Sequence, residues 1–161
     1  MSTVGSPHVE ETAIIESSIE KVWKVVRPLD FKFLPDVENV EVLASDGDKK
    51  QVTSDSVGGL RKIKYKKSTQ TVKILEISDI NYSITYDLIM AEPAVGFSSA
   101  VYTIKLQRVT ENGSTFMSWS TDFSNDASQE ILQDNKYKKL EGFGALRTHL
   151  KKKSTEEQKK A

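Results

Sequence analysis

Residues 114–153, STFMSWSTDFSNDASQEILQDNKYKKLEGFGALRTHLKKK, decide the fold of this chain. The first part, Ser114 to Phe123, alternates as a β-strand does, and the second part, Ala127 to Lys153, has apolar residues at the spacing of an amphipathic helix. Upstream, from Gly58, the chain reads as a succession of strands joined by short polar turns, which predicts antiparallel pairing. An α+β fold is therefore expected, in which a curved antiparallel sheet wraps around the long C-terminal helix.

The composition excludes several classes of protein. At 161 residues the chain is long enough for one domain with a buried core, and 23 basic residues balance 23 acidic ones. Because the net charge is zero, no overall positive potential would attract nucleic acid. The absence of cysteine excludes disulfides and thiolate metal sites. The N-terminus lacks a signal-peptide pattern, and no apolar run reaches the roughly 18 residues that span a bilayer. We expect a soluble, cytoplasmic protein with no cofactor, no nucleic-acid partner and no integral membrane association.

Three segments are predicted along the chain. Residues 1–8 are small, polar or flexible and are expected to be disordered. Residues 9–153 form a single domain, and residues 154–161 form a flexible charged tail.

Two short helices are predicted after a first strand at Val9–Glu16. The first helix is Ile19–Val26, which follows a capping box running from Ser17 to Glu20 and which Pro28 ends. The second helix is the short segment Leu29–Leu34.

The remaining strands bring the sheet to about seven strands, each bounded by turn-forming residues. They are predicted at Val37–Ala44, Leu60–Lys67, Thr71–Ile77, Tyr82–Met90, Ser99–Val109 and Ser114–Phe123, with a turn at Ser45–Asp48.

The C-terminal helix is predicted to begin after a cap at Asn125 or Asp126. Two glycines interrupt it, Gly142 and Gly144, and each costs up to about 1 kcal/mol relative to alanine inside a helix. Either close packing on the sheet or room for a ligand beside Phe143 would explain them. The apolar stripe of this helix is predicted to comprise Ile131, Leu132, Tyr137, Leu140, Phe143, Leu146 and Leu150.

Several motifs carry a resemblance to a known superfamily. They are Ser18 to Trp23 (SIEKVW), Val57 to Arg61 (VGGLR), Leu75 to Asp79 (LEISD), Tyr82 to Tyr86 (YSITY), and Asn112 to Phe123. In order and spacing the chain resembles the START-like superfamily (SRPBCC), which includes the Bet v 1 and PR-10 proteins, the abscisic acid receptors and the polyketide cyclase/dehydrase group. The resemblance implies the helix-grip fold, and it points most closely to the polyketide cyclase/dehydrase and lipid transport group.

The resemblance also implies an apolar cavity between the sheet and the C-terminal helix. Strand alternation then indicates which side chains could line it, with tyrosine hydroxyls as polar groups among apolar ones. The same residues could equally fill a solid core. The expected ligand-binding residues are Arg61, Ile63, Tyr65, Val72, Ile74, Ile84, Tyr86, Leu88, Ala100, Tyr102, Ile104, Met117, Trp119, Thr121, Leu140, Phe143 and Gly144.

The sequence differs from related proteins at several positions, and these differences disfavour one of the superfamily's functions. The abscisic acid receptors carry a Ser-Gly-Leu-Pro-Ala gate where this chain has Lys66 to Gln70. Ala100 stands where related proteins often have a tyrosine, and only Gly47 remains near the glycine-rich loop of the Bet v 1 branch. A hormone receptor of the abscisic acid type is therefore disfavoured.

Groups suited to catalysis are scarce. The two histidines, His8 and His149, lie near the ends of the predicted domain, and no Ser/His/Asp set or metal site can be assembled. We therefore predict no catalytic residue and no metal site. A cyclase could still act through the shape of its pocket, with Arg61 and the tyrosines polarising a carbonyl.

The strongest local charge feature is the basic cluster Arg61, Lys62, Lys64, Lys66 and Lys67. Most such runs are solvated strand faces. The alternative is a transient contact of Lys66 and Lys67 with an anionic membrane.

The function expected from these observations is binding of a small hydrophobic or amphipathic ligand (a lipid, sterol or polyketide-like molecule) as a carrier, store or sensor. One alternative is a polyketide cyclase/dehydrase-like enzyme that uses the same cavity. Another is an interaction module whose cavity is collapsed. The protein is expected to be a monomer or a homodimer.

Overall fold

The structure is a computed structural model that describes residues 7–43 and 56–160. In those ranges seven strands and two helices follow one another. Their bounds are β1 (His8–Ile15), α1 (Ile19–Val26), β2 (Val37–Leu43), β3 (Leu60–Tyr65), β4 (Thr69–Ser78), β5 (Ser83–Glu92), β6 (Ala100–Val109), β7 (Ser114–Phe123) and α2 (Gln129–Lys160).

One antiparallel sheet contains all seven strands, in the order β1-β7-β6-β5-β4-β3-β2. Consecutive strands from β2 to β7 pair with one another, and those from β3 to β7 are joined by short connections, as their sequence spacing predicts. Strand β1 pairs instead with β7, from His8 opposite Asp122 to Ile15 opposite Thr115. The sheet and the long C-terminal helix confirm the predicted α+β helix-grip architecture.

The two faces of the sheet also follow the predicted alternation. On β7, Met117, Trp119 and Thr121 are buried, whereas Phe116 between them is exposed. On β3, Arg61 and Ile63 are buried, while Lys62 and Lys64 are exposed. Period-2 alternation therefore separates the inner face from the solvent face.

Helix α1 occupies the predicted residues, but its cap lies one residue later than expected. Ser18, rather than Ser17, is the N-cap, and its Oγ accepts a hydrogen bond of 3.4 Å from the backbone N–H of Lys21. The helix buries the face formed by Ile19, Val22, Trp23 and Val26. This face anchors α1 to the inner side of the sheet.

The prediction of a second short helix at Leu29–Leu34 is wrong. Leu29 and Phe31 have φ values of 52° and 51°, in the left-handed region, which a right-handed helix cannot accommodate. Leu29, Phe31 and Phe33 are instead buried side chains of an irregular connection. Burial of these large apolar groups stabilises a backbone that is otherwise unfavourable for residues other than glycine.

Both ends of the chain differ from the sequence prediction. His8 lies in β1, not in a disordered segment, and its Nδ1 is 2.6 Å from Oδ1 of Asp122. At the other end α2 continues to Lys160, beyond the predicted end at Lys153, so the charged tail is helical there. Residues 1–6 and the predicted turn at Ser45–Asp48 lie outside the described residues.

The start of α2 is also fixed differently from the prediction. Oγ of Ser128 accepts a hydrogen bond of 3.3 Å from the backbone N–H of Ile131, so Ser128 takes the capping role. The carboxylate of Asp126 instead accepts hydrogen bonds from Ser98 and Ser124. These hydrogen bonds lower the pKa of Asp126 to about 2. The predicted caps Asn125 and Asp126 are thus wrong, and Asp126 ties the β5–β6 connection to the segment before α2.

The predicted stripe of α2 is wrong in its middle, whereas Ile131 and Leu132 at its start are partly buried against the sheet. Tyr137 and Leu140 are 60% and 42% exposed. The positions that face the sheet are Lys139, Gly142 and Phe143, followed by Leu146 and Leu150, all of which are buried. No helix in the described ranges is long and apolar enough to cross a membrane.

Two apolar clusters lie between the sheet and the helices. The larger cluster joins α1, the Leu29–Phe33 segment, the middle of the sheet and the second half of α2. The smaller cluster has Val9, Ala100 and Phe123 at its centre, with partly buried side chains from the first turns of α2 packed against it. Leu88 and Tyr102 contact both clusters.

Candidate ligand-binding site

A row of polar side chains crosses the inner face of the sheet between the two apolar clusters. Tyr86 on β5 lies opposite Tyr102 on β6, which in turn lies opposite Thr121 on β7. The rings of Tyr86 and Tyr102 are stacked, with centroids 5.0 Å apart and an interplanar angle of 3°. Because neighbouring strands are in register, three hydroxyl groups are placed side by side on an otherwise apolar face.

Helix α2 adds two polar residues to this row. Nζ of Lys139 donates hydrogen bonds to Oγ1 of Thr121, at 2.5 Å, and to Oδ1 of Asn135. The amide of Asn135 donates in turn to the hydroxyl of Tyr102 at 3.5 Å. We refer to Tyr86, Tyr102, Thr121, Asn135 and Lys139 as the polar seam.

Lys139 is the most unusual member of the polar seam. Only 2% of this residue is exposed, and its Nζ lies 5.1 Å from the ring centroid of Tyr102 and 5.9 Å from that of Trp119. Burial lowers the pKa of Lys139 to about 7, although the negative charge of Glu11 on β1 acts in the opposite direction. Within the described part of the chain, Lys139 forms no ion pair with a carboxylate.

The tyrosines near the seam are neutral hydrogen-bonding groups at physiological pH. Burial raises the pKa of Tyr102 to about 12 and raises the pKa of Tyr86 well above its ordinary value. Burial likewise raises the pKa of Tyr65 on β3. Their hydroxyls can therefore both donate to and accept from a ligand oxygen.

On the side towards α1, the seam borders a filled aromatic cluster. The ring of Trp119 is stacked on Phe31 at 6.2 Å and meets Phe143 edge-on at 6.1 Å. Its Nε1 donates a hydrogen bond of 3.0 Å to the hydroxyl of Tyr86. The Phe31 ring also lies 5.7 Å from that of Tyr86. The space next to Trp119, which the sequence predicted to be hollow, is thus occupied by Phe31.

On the other side, towards the start of α2, the seam is less enclosed. Leu88 and Tyr102 on the sheet are only partly buried, as are Ile131 and Leu132 on α2. These side chains are apolar or aromatic, and all four pack against the smaller cluster. Side chains between the sheet and α2 are therefore more fully buried along the second half of the helix than along its first turns.

Most of the predicted ligand-binding residues lie on the inner face of the sheet. The structure brings together the inner-face side chains, which are buried or partly buried, and adds Phe143 from α2. They are Ile63, Tyr65, Val72, Ile74, Ile84, Tyr86, Leu88, Ala100, Tyr102, Ile104, Met117, Trp119, Thr121 and Phe143.

Two predicted ligand-binding residues of α2 lie on the wrong face. Leu140 is exposed, and Gly144 is exposed with no atom within 4 Å of a Cβ built on it. Gly142 faces inward instead, where a Cβ would come 2.7 Å from Cζ3 of Trp119. Close packing, rather than room for a ligand, explains Gly142.

Arg61 is buried at the start of β3, where it bonds to backbone groups. Its Nε donates a hydrogen bond of 2.7 Å to the carbonyl oxygen of Pro28, and its Nη1 donates one of 3.2 Å to the carbonyl oxygen of Leu60. The hydrogen bond to Pro28 fixes the start of the Leu29–Phe33 segment, which places the Phe31 side chain in the interior. A role of Arg61 in polarising a ligand carbonyl stays a prediction that competes with this structural role.

Sequence reasoning missed Lys139, Asn135 and Phe31. Residues 132, 135, 139, 143, 146 and 150 are spaced by three or four and form a helical stripe, but two of them are polar. Because Tyr137 and Leu140 are largely apolar, they were assigned to the inward face of the helix, and Asn135 and Lys139 were assigned to solvent. Phe31 carried no recognisable signal, because its burial depends on a left-handed backbone between two prolines.

Other surface features lie away from the seam. A shallow, open depression is lined by Glu16, Ser17 and the hairpin residues 112–114. Lys66 and Lys67 are exposed, as a solvated strand end requires, and membrane contact stays a prediction. Within the described ranges, no group of three or more acidic or histidine side chains could hold a metal ion.

Comparisons with solved structures identify the fold. A protein from Nitrosospira multiformis matches with a TM-score of 0.72 at 20% identity, covering 92% of this chain and 99% of that one. Ara h 8.0201 matches with a TM-score of 0.71 at 20% identity, covering 91% and 98% of the two chains. The chain has the START/Bet v 1-like fold.

A third match extends the START/Bet v 1-like comparison. A START superfamily protein from Mycobacterium smegmatis has a TM-score of 0.66 at 13% identity, covering 90% of this chain and 97% of its own. No family model matches the sequence, and no curated protein matches it. The identities are low, so the comparisons establish the START/Bet v 1-like fold and leave the function to the site itself.

Proposed function

We propose that this protein binds a small, largely apolar ligand between the sheet and the first turns of α2, against the polar seam. The observation that carries the proposal is the position of the seam. Five polar side chains converge on the inner face, between two apolar clusters, where Leu88, Tyr102, Ile131 and Leu132 are only partly buried. An apolar enclosure with a few convergent polar groups is the usual composition of a small-molecule site.

The chemistry of the seam limits the ligand to an amphipathic molecule. Tyr102 and Asn135 can each donate a hydrogen bond to a ligand oxygen, while Leu88 and Leu132 would contact hydrocarbon. A molecule with a hydrocarbon body and one polar end satisfies both parts. A carrier, store or sensor for a lipid or polyketide-like molecule needs a site with these two parts.

A fluorescence titration with a neutral probe, N-phenyl-1-naphthylamine, tests the proposal. The probe should bind saturably to the wild-type protein, and a neutral amphiphile such as 1-decanol should displace it. Leu132→Glu, which places a carboxylate at the proposed entrance, should weaken probe binding at least ten-fold.

Leu140→Glu is the matched control, because Leu140 lies on the same helix but is exposed. It should leave probe binding unchanged while circular dichroism shows both variants folded. Equal probe binding by the two variants, or no saturable binding to the wild type, would overturn the proposal.

A second candidate is an interaction module whose interior is filled. The packing of Phe31 between Trp119 and Tyr86 favours it, because that aromatic cluster leaves a ligand no place beside Trp119 without moving the ring. The same titration separates the two candidates, since a filled module would not bind the neutral probe at any concentration below that at which the probe aggregates.

A further inference from the structure

Lys139 has a hydrogen-bonding capacity that the described residues do not use fully. An ammonium group has three N–H donors, and the acceptors that Lys139 has are Thr121 and Asn135. The rings of Tyr102 and Trp119, whose centroids lie 5.1 Å and 5.9 Å from Nζ, contain no oxygen or carbonyl acceptor. A third donor therefore remains for an acceptor from outside the protein.

When Lys139 is protonated, its charge also has no carboxylate partner among the described residues. A buried cation is normally paired with an anion, because removal from water costs several kcal/mol. Glu11 on β1 acts on Lys139 through its charge but does not form an ion pair with it. A single negative charge brought next to Nζ would supply the missing partner.

We propose that Lys139 recognises the carboxylate of the bound ligand, so that the ligand is an amphipathic acid and its carboxylate completes the polar seam. The carboxylate would accept the free N–H of Lys139 and a hydrogen bond from Tyr102 or Asn135. Its hydrocarbon would extend towards Leu88 and Leu132. This inference deepens the proposed function and rests on it.

The surroundings of Lys139 determine how the site responds to protons. The titratable groups that face it are Glu11 on β1 and Tyr102 on β6, whereas β7 presents Trp119 and Thr121, which do not titrate. Without a ligand, burial lowers the pKa of Lys139 to about 7. A carboxylate against Nζ would raise that pKa, so that ligand binding near pH 8 would take up a proton.

Displacement of N-phenyl-1-naphthylamine by matched ligands tests the inference. Decanoate should displace the probe at a concentration at least ten-fold lower than 1-decanol, which has the same chain without the charge. In Lys139→Met the two ligands should become equal to within about two-fold, while 1-decanol still binds. A second pair, 4-biphenylcarboxylate and 4-biphenylmethanol, tests whether the site takes an aromatic rather than an aliphatic hydrocarbon. Either pair supports the inference if the acid displaces the probe at a lower concentration than the corresponding alcohol.

Lys138→Met is the control variant, because Lys138 is exposed and bridges to Asp134 at 2.9 Å on the outer surface of α2. It should keep the preference for the acid. Calorimetry of the wild-type protein at pH 8, in two buffers of different ionisation enthalpy, should show uptake of a fraction of a proton with decanoate and none with 1-decanol. This second measurement needs no variant, so it decides the matter even if Lys139→Met does not fold.

The outcomes separate the two proposals. If 1-decanol and decanoate bind the wild type equally and no proton is taken up, the role of Lys139 is wrong but ligand binding stands. If the acid is preferred equally in Lys139→Met, another group recognises the carboxylate and the inference fails. If neither the probe nor any ligand binds, the proposed function fails, and this inference falls with it.

Discussion

Gly142 lies directly against the indole ring of Trp119, so closely that a Cβ at position 142 would come 2.7 Å from Cζ3. The ring cannot easily move away, because Phe31 and Phe143 pack against it and Tyr86 accepts its N–H. This contact fixes the distance between α2 and β7.

Alanine substitutions at the two helix glycines should therefore have opposite effects. Gly142→Ala gains about 1 kcal/mol in helix propensity but forces overpacking that typically costs about 1–3 kcal/mol, so a net loss of about 1 kcal/mol is expected. Gly144→Ala meets no atom within 4 Å and should be stabilised by about 0.5–1 kcal/mol. Urea unfolding of both variants measures this, and a stabilised Gly142→Ala would contradict the packing.

The Phe31 side chain should prove to be the group that fills the interior beside Trp119. Phe31→Ala removes a buried ring and should lower the free energy of unfolding by about 3 kcal/mol. It should also open a space beside Trp119 that binds N-phenyl-1-naphthylamine more tightly. Phe116→Ala, on the solvent face of β7, is the control and should do neither. Unchanged probe affinity in folded Phe31→Ala would show that the space collapses.

The hydrogen bond between Trp119 and Tyr86 should contribute measurably to stability. Tyr86→Phe keeps the ring but leaves the indole N–H of Trp119, a buried donor, without its acceptor at 3.0 Å. Such a loss costs about 1–3 kcal/mol. Tyr137→Phe, at an exposed position, should change stability by less than about 0.5 kcal/mol. Equal stability of the two variants by thermal or urea unfolding would mean that water replaces the hydroxyl.

The protonation of Lys139 predicts how stability depends on pH. In the folded protein burial lowers the pKa to about 7, whereas the unfolded chain has the ordinary value of 10.5. Between these values the unfolded state binds more protons, so stability rises with pH. The cost of burying Lys139 is fully present below about pH 7 and disappears as the pH approaches 10.5.

Lys139→Met isolates this contribution, because the other titrating groups are common to both proteins. The variant should be more stable than the wild type at pH 7, and its advantage should shrink by about 2 kcal/mol between pH 7 and pH 9. Chemical unfolding at several pH values measures the difference. A constant difference would show that Lys139 has an ordinary pKa.

The sequence predicted the sheet well because alternation is a local property of a strand. Met117, Trp119 and Thr121 were placed on the inner face, and the burial of all three confirms it. Strand ends differed by a few residues, since a ladder continues as long as its neighbour offers partners. For β4 the pairing extends from Thr69 to Ser78, beyond the predicted strand.

The site was harder to predict because its deciding features are not local. Phe31 enters the interior through a backbone at φ 51°, which no helix or strand pattern indicates. Lys139 occupies an inward position, although a charged residue is normally expected to face solvent. Its contacts with Thr121, Asn135 and Tyr102 explain the position. The caps at Ser18 and Ser128 were missed because several neighbouring residues could serve equally well.

Amide chemical shifts recorded during a titration with 1-decanol test the central claim most directly. Ligand between the sheet and the first turns of α2 should shift the resonances of Leu88, Tyr102 and Leu132 in a saturable way. Residues of the outer depression, such as Ser17 and Asn112, should not move. Shifts confined to that depression or to the outer face of α2, or no saturable shift at all, would contradict the account.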